Sequence, residues 1–301
     1  MNTNLTVIIP SFNDAHGLSR LLPSLLSTAN KYGWRVLVVD DCSTDNTQDV
    51  LRSFGDVILH LRNEVNGGNG YSVKRGIQAA DTEYVAVIDA DGQHRVEDLE
   101  KMYLQIDGKV DALIGNRTKE SHEPLIRRPG KWVLGMAANM ISGKDIPDIN
   151  CGLRIFRRSV FLCLIPILPD RFSLPTASLI ALLQMDCIVR YVAVYAEPRI
   201  GKSTVRQIPD GLHALMLILR MVFLFNPLRV LYPVGLAFLL FATFALCNHL
   251  WFADVSTPPI MSWVTGLIIF LFSLLADQVS GIRKDMIFRE LKKARQAEGR
   301  E

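Results

Sequence analysis

Cysteine is sparse and scattered: Cys42, Cys151, Cys163, Cys187 and Cys247 form no CxxC pair. That spacing excludes a zinc cluster or a disulfide framework and fits a reducing compartment. An excess of one charge is lacking too, since 33 Lys and Arg face 30 Asp and Glu for a net +3. The chain is therefore not a polycation built for nucleic acid. There is no internal repeat and no low-complexity tract. The first residues enter an apolar run at 5–10 without the charged start and long apolar core of a signal peptide. On this reading residues 1–206 stay in the cytosol.

What is present divides at about residue 206. The first part alternates short apolar runs with helical patterns, which predicts a parallel α/β sheet. Strands are expected at 5–10 (LTVIIP), 34–40 (WRVLVVD), 57–61, 84–89 (YVAVID) and 112–115. Helices are expected at 18–32, at 44–54 behind a Ser43/Thr44 cap, from the glycine-rich turn 66–70 through Ala80, and at 96–106.

The last third obeys different physics. Residues 230–247 are 18 positions without a formal charge, and 260–276 are 17 more. At about 1.5 Å per residue, each is long enough for a bilayer core. Tyr232, Trp251 and Trp263 mark the ends, and the linking turn holds Asp254 but no Lys or Arg. Arg283, Lys284, Arg289, Lys292, Lys293, Arg295 and Arg300 follow. A pair of buried core helices fits this distribution poorly, and the positive-inside rule puts both ends in the cytosol. Arg206, Asp210, His213 and Arg220 share one helical face ahead of the hairpin, which reads as an interfacial amphipathic helix. The expected order is a catalytic domain at 1–206, an interfacial helix at 207–227, a transmembrane hairpin at 228–281 (spans about 229–250 and 259–280) and a basic cytosolic tail at 282–301. This makes a multi-pass protein of the cell membrane, and it leaves room for a homo-oligomer.

In a parallel sheet ligands bind where strands end. Polar clusters follow three of the expected strands: Pro10 to Asp14, Asp40 and Asp41, and Asp89-Ala90-Asp91-Gly92-Gln93. Asp89 and Asp91 are spaced to present carboxylates to one hard divalent cation, Mg²⁺ or Mn²⁺, with Gln93 as a neutral oxygen ligand. Such a cation stabilises a departing nucleoside diphosphate. The glycines at 66–70 imitate a dinucleotide fingerprint, but they follow the third strand rather than the first, which excludes an oxidoreductase of that type.

The segments VIIPSFND (7–14), VVDDCSTDNT (38–47), NGGNGYSVKRG (66–76) and YVAVIDADGQH (84–94) resemble family-2 inverting glycosyltransferases of the GT-A fold. GNR (115–117) and DINCGLRIFRR (148–158) are similar to the branch of dolichol-phosphate mannose synthase and bacterial polyprenyl-phosphate glycosyltransferases. The resemblance covers about 5–206. It implies that Pro10, Phe12 and Asp14 line the nucleotide pocket and that Val39 and Asp41 meet base and ribose. It further implies that Asp89, Ala90 and Asp91 hold the diphosphate through metal, with Gln93 as a ligand, and that Arg117 touches the donor.

The chain departs from the family pattern in two places. RIGKSTVR (199–206) replaces the usual Arg-x-x-Gly-x-Ser-Lys, leaving Arg199, Lys202 and Arg206 for the phosphates, and Phe12 stands where many relatives have Tyr. Arg127, Arg128 and Lys131 precede an apolar stretch, either to meet lipid phosphate or as plain basic surface. His94 is expected to position or merely to be solvated, and Cys151 to pack. The implied reaction moves a hexose from a UDP- or GDP-sugar to an undecaprenyl or dolichyl phosphate, with Asp89, Asp91, Arg117 and Arg199 as the catalytic set. A hydroxyl acceptor would instead need a carboxylate base, for which Asp145 and Asp148 are the candidates. A non-catalytic scaffold would need neither the acidic pair nor the nucleotide motifs.

Overall fold

A computed structural model describes residues 4–118, 146–170, 174–197, 223–251 and 257–299, with Gly135, Asn139, Gly143, Met216 and 219–221. The chain divides into two units, Met1–Leu215 with Glu290–Glu301, and Met216–Arg289.

The first unit is built on a seven-stranded sheet in the order β3-β2-β1-β4-β6-β5-β7. The strands are β1 (Leu5–Ser11), β2 (Arg35–Asp40), β3 (Leu59–Arg62), β4 (Tyr84–Val87), β5 (Ala112–Arg117), β6 (Arg154–Arg157) and β7 (Val189–Val194). β1 and β4 are buried along their whole length, as strands covered on both faces must be. The all-parallel expectation is wrong at one strand: β6 runs antiparallel to both β4 and β5, whereas every other pairing is parallel. β6 reads Arg-Ile-Phe-Arg, which looks like surface in sequence yet is fully buried.

Around the sheet lie α1 (Ala15–Tyr32), α2 (Thr47–Ser53), α3 (Asn69–Ala79), α4 (Val96–Tyr103), α5 (Arg158–Leu164) and α6 (Leu174–Gln184). Leu18, Leu21, Leu22, Leu25 and Ala29 form the buried face of α1. Each leucine contributes roughly 1.5–3 kcal/mol by leaving water. Gly33 ends the helix at φ 70°, and the Trp34 N–H donates to the Ala29 carbonyl at 2.9 Å.

Three boundaries differ from expectation for local reasons. α2 starts at Thr47 rather than Thr44, because the N–H groups of Thr44 and Asp45 donate to Asn13 Oδ1 at 2.8 and 3.3 Å. β3 starts at Leu59, since Gly55–Val57 forms a 3₁₀ turn. β4 ends at Val87, which frees Asp89 from the ladder.

The C-terminus completes this unit. Arg157, 1% exposed, donates to Glu83 at 2.6 Å and Glu298 at 3.1 Å, and it lies 4.5 Å from the Tyr84 ring centroid. Asp111, also 1% exposed, accepts from Ile188 N–H and from Arg295 Nη2, both at 2.9 Å. Arg295 and Glu298, two charges of the expected basic tail, are thus structural.

In the second unit α7 (Leu228–Trp251) and α8 (Thr257–Ala297, whose last turns belong to the first unit) pack antiparallel. A Cβ on Gly235 would lie 3.3 Å from Ile269 Cγ2, and one on Gly266 would lie 3.1 Å from the Leu239 nitrogen. Such small-residue contacts let helix backbones approach closely. Thr243, Thr265 and Ser273 hydroxyls donate to carbonyls of their own helix at 2.6–2.8 Å. Both helices are long and apolar enough to cross a membrane, with mean hydropathy 2.2 and 2.0 over the qualifying stretches. The interfacial helix expected at 207–227 falls largely outside the described residues.

Removing residues 290–301 takes away Arg295 and Glu298, and breaking such buried charge pairs is costly. The Tm of the catalytic unit should fall by about 5–10 °C. Thermal unfolding of the full chain and the truncated chain in the same detergent measures it. An unchanged Tm would contradict a structural tail.

Candidate functional site

The site is assembled where β1, β2, β4 and β5 end and β6 begins. The first wall is a stitch between two loops. Asn13, at φ 55°, accepts from Thr44 and Asp45, and its own N–H donates to Ser43 Oγ at 2.9 Å. Asp45 in turn accepts from the Ala15 N–H at 3.4 Å and the Thr47 N–H at 3.0 Å. Phe12, 43% exposed, stands out from this stitch. Pro10 is buried opposite Val39 in the ladder, and Asp14 is half-buried as the residue before α1.

Asp41 and Val39, both expected at the nucleotide, are buried. Asp41 is only 3% exposed: its Oδ1 accepts from Asn63 at 2.6 Å and from Gly67 N–H at 2.9 Å, and its Oδ2 from Gly68 N–H at 2.8 Å. Its carboxylate holds the glycine-rich turn. The Val39 side chain is buried beneath α3, where a Cβ on Gly76 would lie 3.1 Å from its Cγ2.

The acidic motif is fixed from three sides. Ala90 is buried against the start of α1, where a Cβ on Gly17 would fall 2.0 Å from the Ala90 carbonyl oxygen. No residue larger than glycine fits at position 17 without moving the motif. Asp91, 7% exposed, accepts the Gln93 N–H at 3.1 Å. Gly152 presses on Asp89: a Cβ there would lie 2.3 Å from Asp89 Oδ2 and 3.7 Å from His94 Nε2. Beyond the motif the Glu197 N–H donates to the Gln93 carbonyl at 2.9 Å, tying the end of β7 to the site.

Of the two roles expected for His94, positioning or mere solvation, its burial leaves the first. It is 7% exposed, its Nδ1 has no hydrogen-bond partner, and burial lowers its pKa to about 4, with Arg117 lowering it further and Asp148 opposing. It is neutral at physiological pH. Cys151 packs as expected, its thiol pushed up to about 11 by burial.

Arg117, at the end of β5, grips Asp148 with both ends of its fork, Nε to Oδ2 at 2.6 Å and Nη2 to Oδ1 at 3.0 Å. Asp148 is 2% exposed and also accepts the Asn150 N–H at 3.1 Å. Asp148 is thus ion-paired with Arg117. Arg127, Arg128, Asp145, Arg199, Lys202 and Arg206 lie outside the described residues. Arg154, which the sequence reading passed over, sits 2% exposed beneath the motif.

No group of three or more His, Cys, Asp or Glu gathers into a ready-made metal cluster among the described residues. The donor set is two carboxylates and an amide, hard oxygens that suit Mg²⁺ or Mn²⁺. Such ions are commonly held by one or two carboxylates together with substrate phosphates. The residues therefore fit a cation that arrives with a diphosphate.

Residues 6–165 match glycosyl transferase family 2, and 226–282 match the GtrB C-terminal hairpin. The chain is 26% identical over 189 residues to an undecaprenyl-phosphate 4-deoxy-4-formamido-L-arabinose transferase of Pectobacterium atrosepticum, covering 58% of this chain and 57% of that one. It is 25% identical over 163 residues to a dodecaprenyl-phosphate galacturonate synthase of Rhizobium johnstonii, covering 52% and 48%. The chain thus spans about half the length of these curated relatives. Among solved structures, glucosyl-3-phosphoglycerate synthase of Mycobacterium tuberculosis, with Mn²⁺, UDP and glucosyl-3-phosphoglycerate, superposes at a TM-score of 0.53. That match has 16% identity and covers 73% of this chain and 78% of that one. The likeness shows a common GT-A fold. With a family match that takes in residues 6–165 of 301, the chain belongs to glycosyl transferase family 2.

Proposed function

We propose that this protein is a membrane-bound, metal-dependent inverting glycosyltransferase that moves a hexose from a UDP- or GDP-sugar to a polyprenyl phosphate at the cytosolic leaflet. The observation that carries the reading is the acidic pair, set at the end of β4 and locked by Gly17 and Gly152. Two relatives named for undecaprenyl- and dodecaprenyl-phosphate products support the acceptor class. The hairpin match and the two apolar helices support membrane attachment.

In this mechanism Asp89, Asp91 and Gln93 hold the cation. When bound, it offsets charge on the departing nucleoside diphosphate. The loop stitch at Asn13 and the exposed Phe12 shape the nucleotide's seat. A phosphate monoester has a second pKa of about 6, so it attacks the anomeric carbon without giving a proton to the protein. That suits a site where Asp148 is committed to Arg117, and it favours phosphate over a hydroxyl acceptor. The acceptor needs cations to position it; Arg117 presents one, and Arg127, Arg128, Arg199, Lys202 and Arg206 are the others proposed.

The topology follows the same reading. Packing of residues 290–299 within the unit that contains the sheet supports an arrangement in which both ends of the hairpin share one side. Cysteine labelling at positions near 299 and in the catalytic domain should report the same, cytosolic, face. Labelling of the C-terminal end from the opposite face would defeat the two-span arrangement.

Assay of membranes with a panel of nucleotide sugars and undecaprenyl or dolichyl phosphate tests the function directly. Asp89→Asn or Asp91→Asn should lower transfer by roughly 10²-fold or more, as expected when transition-state charge stabilisation is lost. Excess EDTA should do the same. Full activity in EDTA would sink the metal-dependent reading.

Arg117 and Asp148 should behave as one unit. Arg117→Met and Asp148→Asn should each be strongly impaired, and the double variant should be no worse than the poorer single one. The coupling energy should be about 1–3 kcal/mol. If Asp148→Asn abolished turnover while Arg117→Met kept it, a base would be implied, and with it a hydroxyl acceptor.

A further inference from the structure

A buried arginine under the acidic motif has no role in the reaction just described. Arg154 opens β6, and its ladder partner on β4 is Val87. Two residues further along each strand, beyond the last pair, the same register sets Gly152 opposite Asp89. Side chains two apart in a strand share a face, so Arg154, Gly152, Val87 and Asp89 all look to one side. They line one small cavity together with Asn69, Pro175 and Ser178.

The guanidinium donates Nε to the Cys151 carbonyl at 2.7 Å and Nη2 to the Ile149 carbonyl at 2.9 Å. Its Nη1 donates to the Pro175 carbonyl and to Ser178 Oγ at 3.2 Å. None of these partners is a carboxylate. Burying a cation among neutral acceptors stabilises a fold poorly, and an aliphatic side chain of similar volume would do better. What only arginine supplies is a rigid fork with five donors. Here the fork reaches two carbonyls of the 149–152 loop and the first turn of α6 at once. The other end of the same loop is held by Arg117 through Asp148, and Asn150 Oδ1 accepts from Thr176 Oγ1 at 2.7 Å. The loop is pinned at both ends, and it meets the acidic motif where Gly152 lies against Asp89.

We infer that Arg154 is a positioning residue of the acidic site: it braces the 149–152 loop so that Gly152 sets the Asp89 carboxylate where the donor's cation is held. The inference rests on the metal-dependent reading above and adds to it a residue that touches neither cation nor donor.

The test is Mn²⁺ binding to the full-length protein in detergent, by electron paramagnetic resonance, with UDP or GDP present and no acceptor. The variants are Gly152→Ala, Arg154→Met and Arg154→Lys. Gly152→Ala leaves every charge in place and crowds only Asp89, so it tests the contact without disturbing the core. It should raise the Mn²⁺ dissociation constant about tenfold, the loss typical when a supporting shell is disturbed. Arg154→Met should weaken binding as much, and Arg154→Lys, which keeps the charge without the fork, nearly as much. If Arg154 acted only through its charge, removing that charge would tighten Mn²⁺ binding and Arg154→Lys would match the wild type. Either result overturns the proposal, as does a Gly152→Ala protein that binds Mn²⁺ normally. A wild type that binds no Mn²⁺ with either nucleotide removes the metal-dependent reading, and this inference falls with it.

Discussion

Everything in the site depends on one reversal of direction in the sheet. β1, β2, β4 and β5 all end at the same edge, and an all-parallel sheet would leave only loops there. Because β6 runs the other way, it begins at that edge, and the residues just ahead of it must pass over the end of β4. The 148–152 segment is therefore delivered to Asp89 by strand pairing itself. The same reversal places Arg154 beneath Asp89 and lets Arg117, at the end of β5, reach Asp148. A backbone feature, not a choice of side chains, brings these groups together.

Much of this was legible beforehand. Apolar runs such as LTVIIP and RVLVVD mark buried strands because a strand covered on both faces cannot carry charge. The acidic cluster after YVAVID pointed to the site because polar residues directly after such a run sit at a sheet edge. What escaped was hidden by buried charge. Arg154 and Arg157 make β6 look like surface, and most of the acceptors that meet them, from Glu83 and Tyr84 through Pro175 and Ser178 to Glu298, come from other segments of the chain. The hold of Asp41 on the glycine-rich turn escaped for the matching reason: its partners, Asn63, Gly67 and Gly68, lie more than twenty residues away. Hydrogen bonds between remote segments leave no local signature. His94 likewise reads as a solvated loop residue until the β7 end closes over it through the Ala196 bridge.

The arrangement also divides labour among the arginines. Arg157 and Arg154 are wholly internal and hold strands and loops by their donors. Arg117 is intermediate, a quarter exposed and paired with an almost fully buried carboxylate. That pairing fixes the planar guanidinium in one orientation, so the entropy of ordering a long side chain is lost on folding.

The docked C-terminus has a consequence for the order in which the molecule is made. Asp111 directly precedes β5 and Arg157 ends β6, while their partners Arg295 and Glu298 lie in the last turn of α8 and just beyond it. Between Val194, where β7 ends, and Arg295 lie 100 residues, which include α7 and most of α8. At synthesis rates of about 5–20 residues per second, that stretch takes roughly 5–20 s to emerge. The nascent sheet must wait that long with two buried charges incompletely matched, and both apolar helices leave the ribosome before it is finished. The unit that contains the sheet thus begins to fold before the two apolar helices are made and gains these two ion pairs only after them.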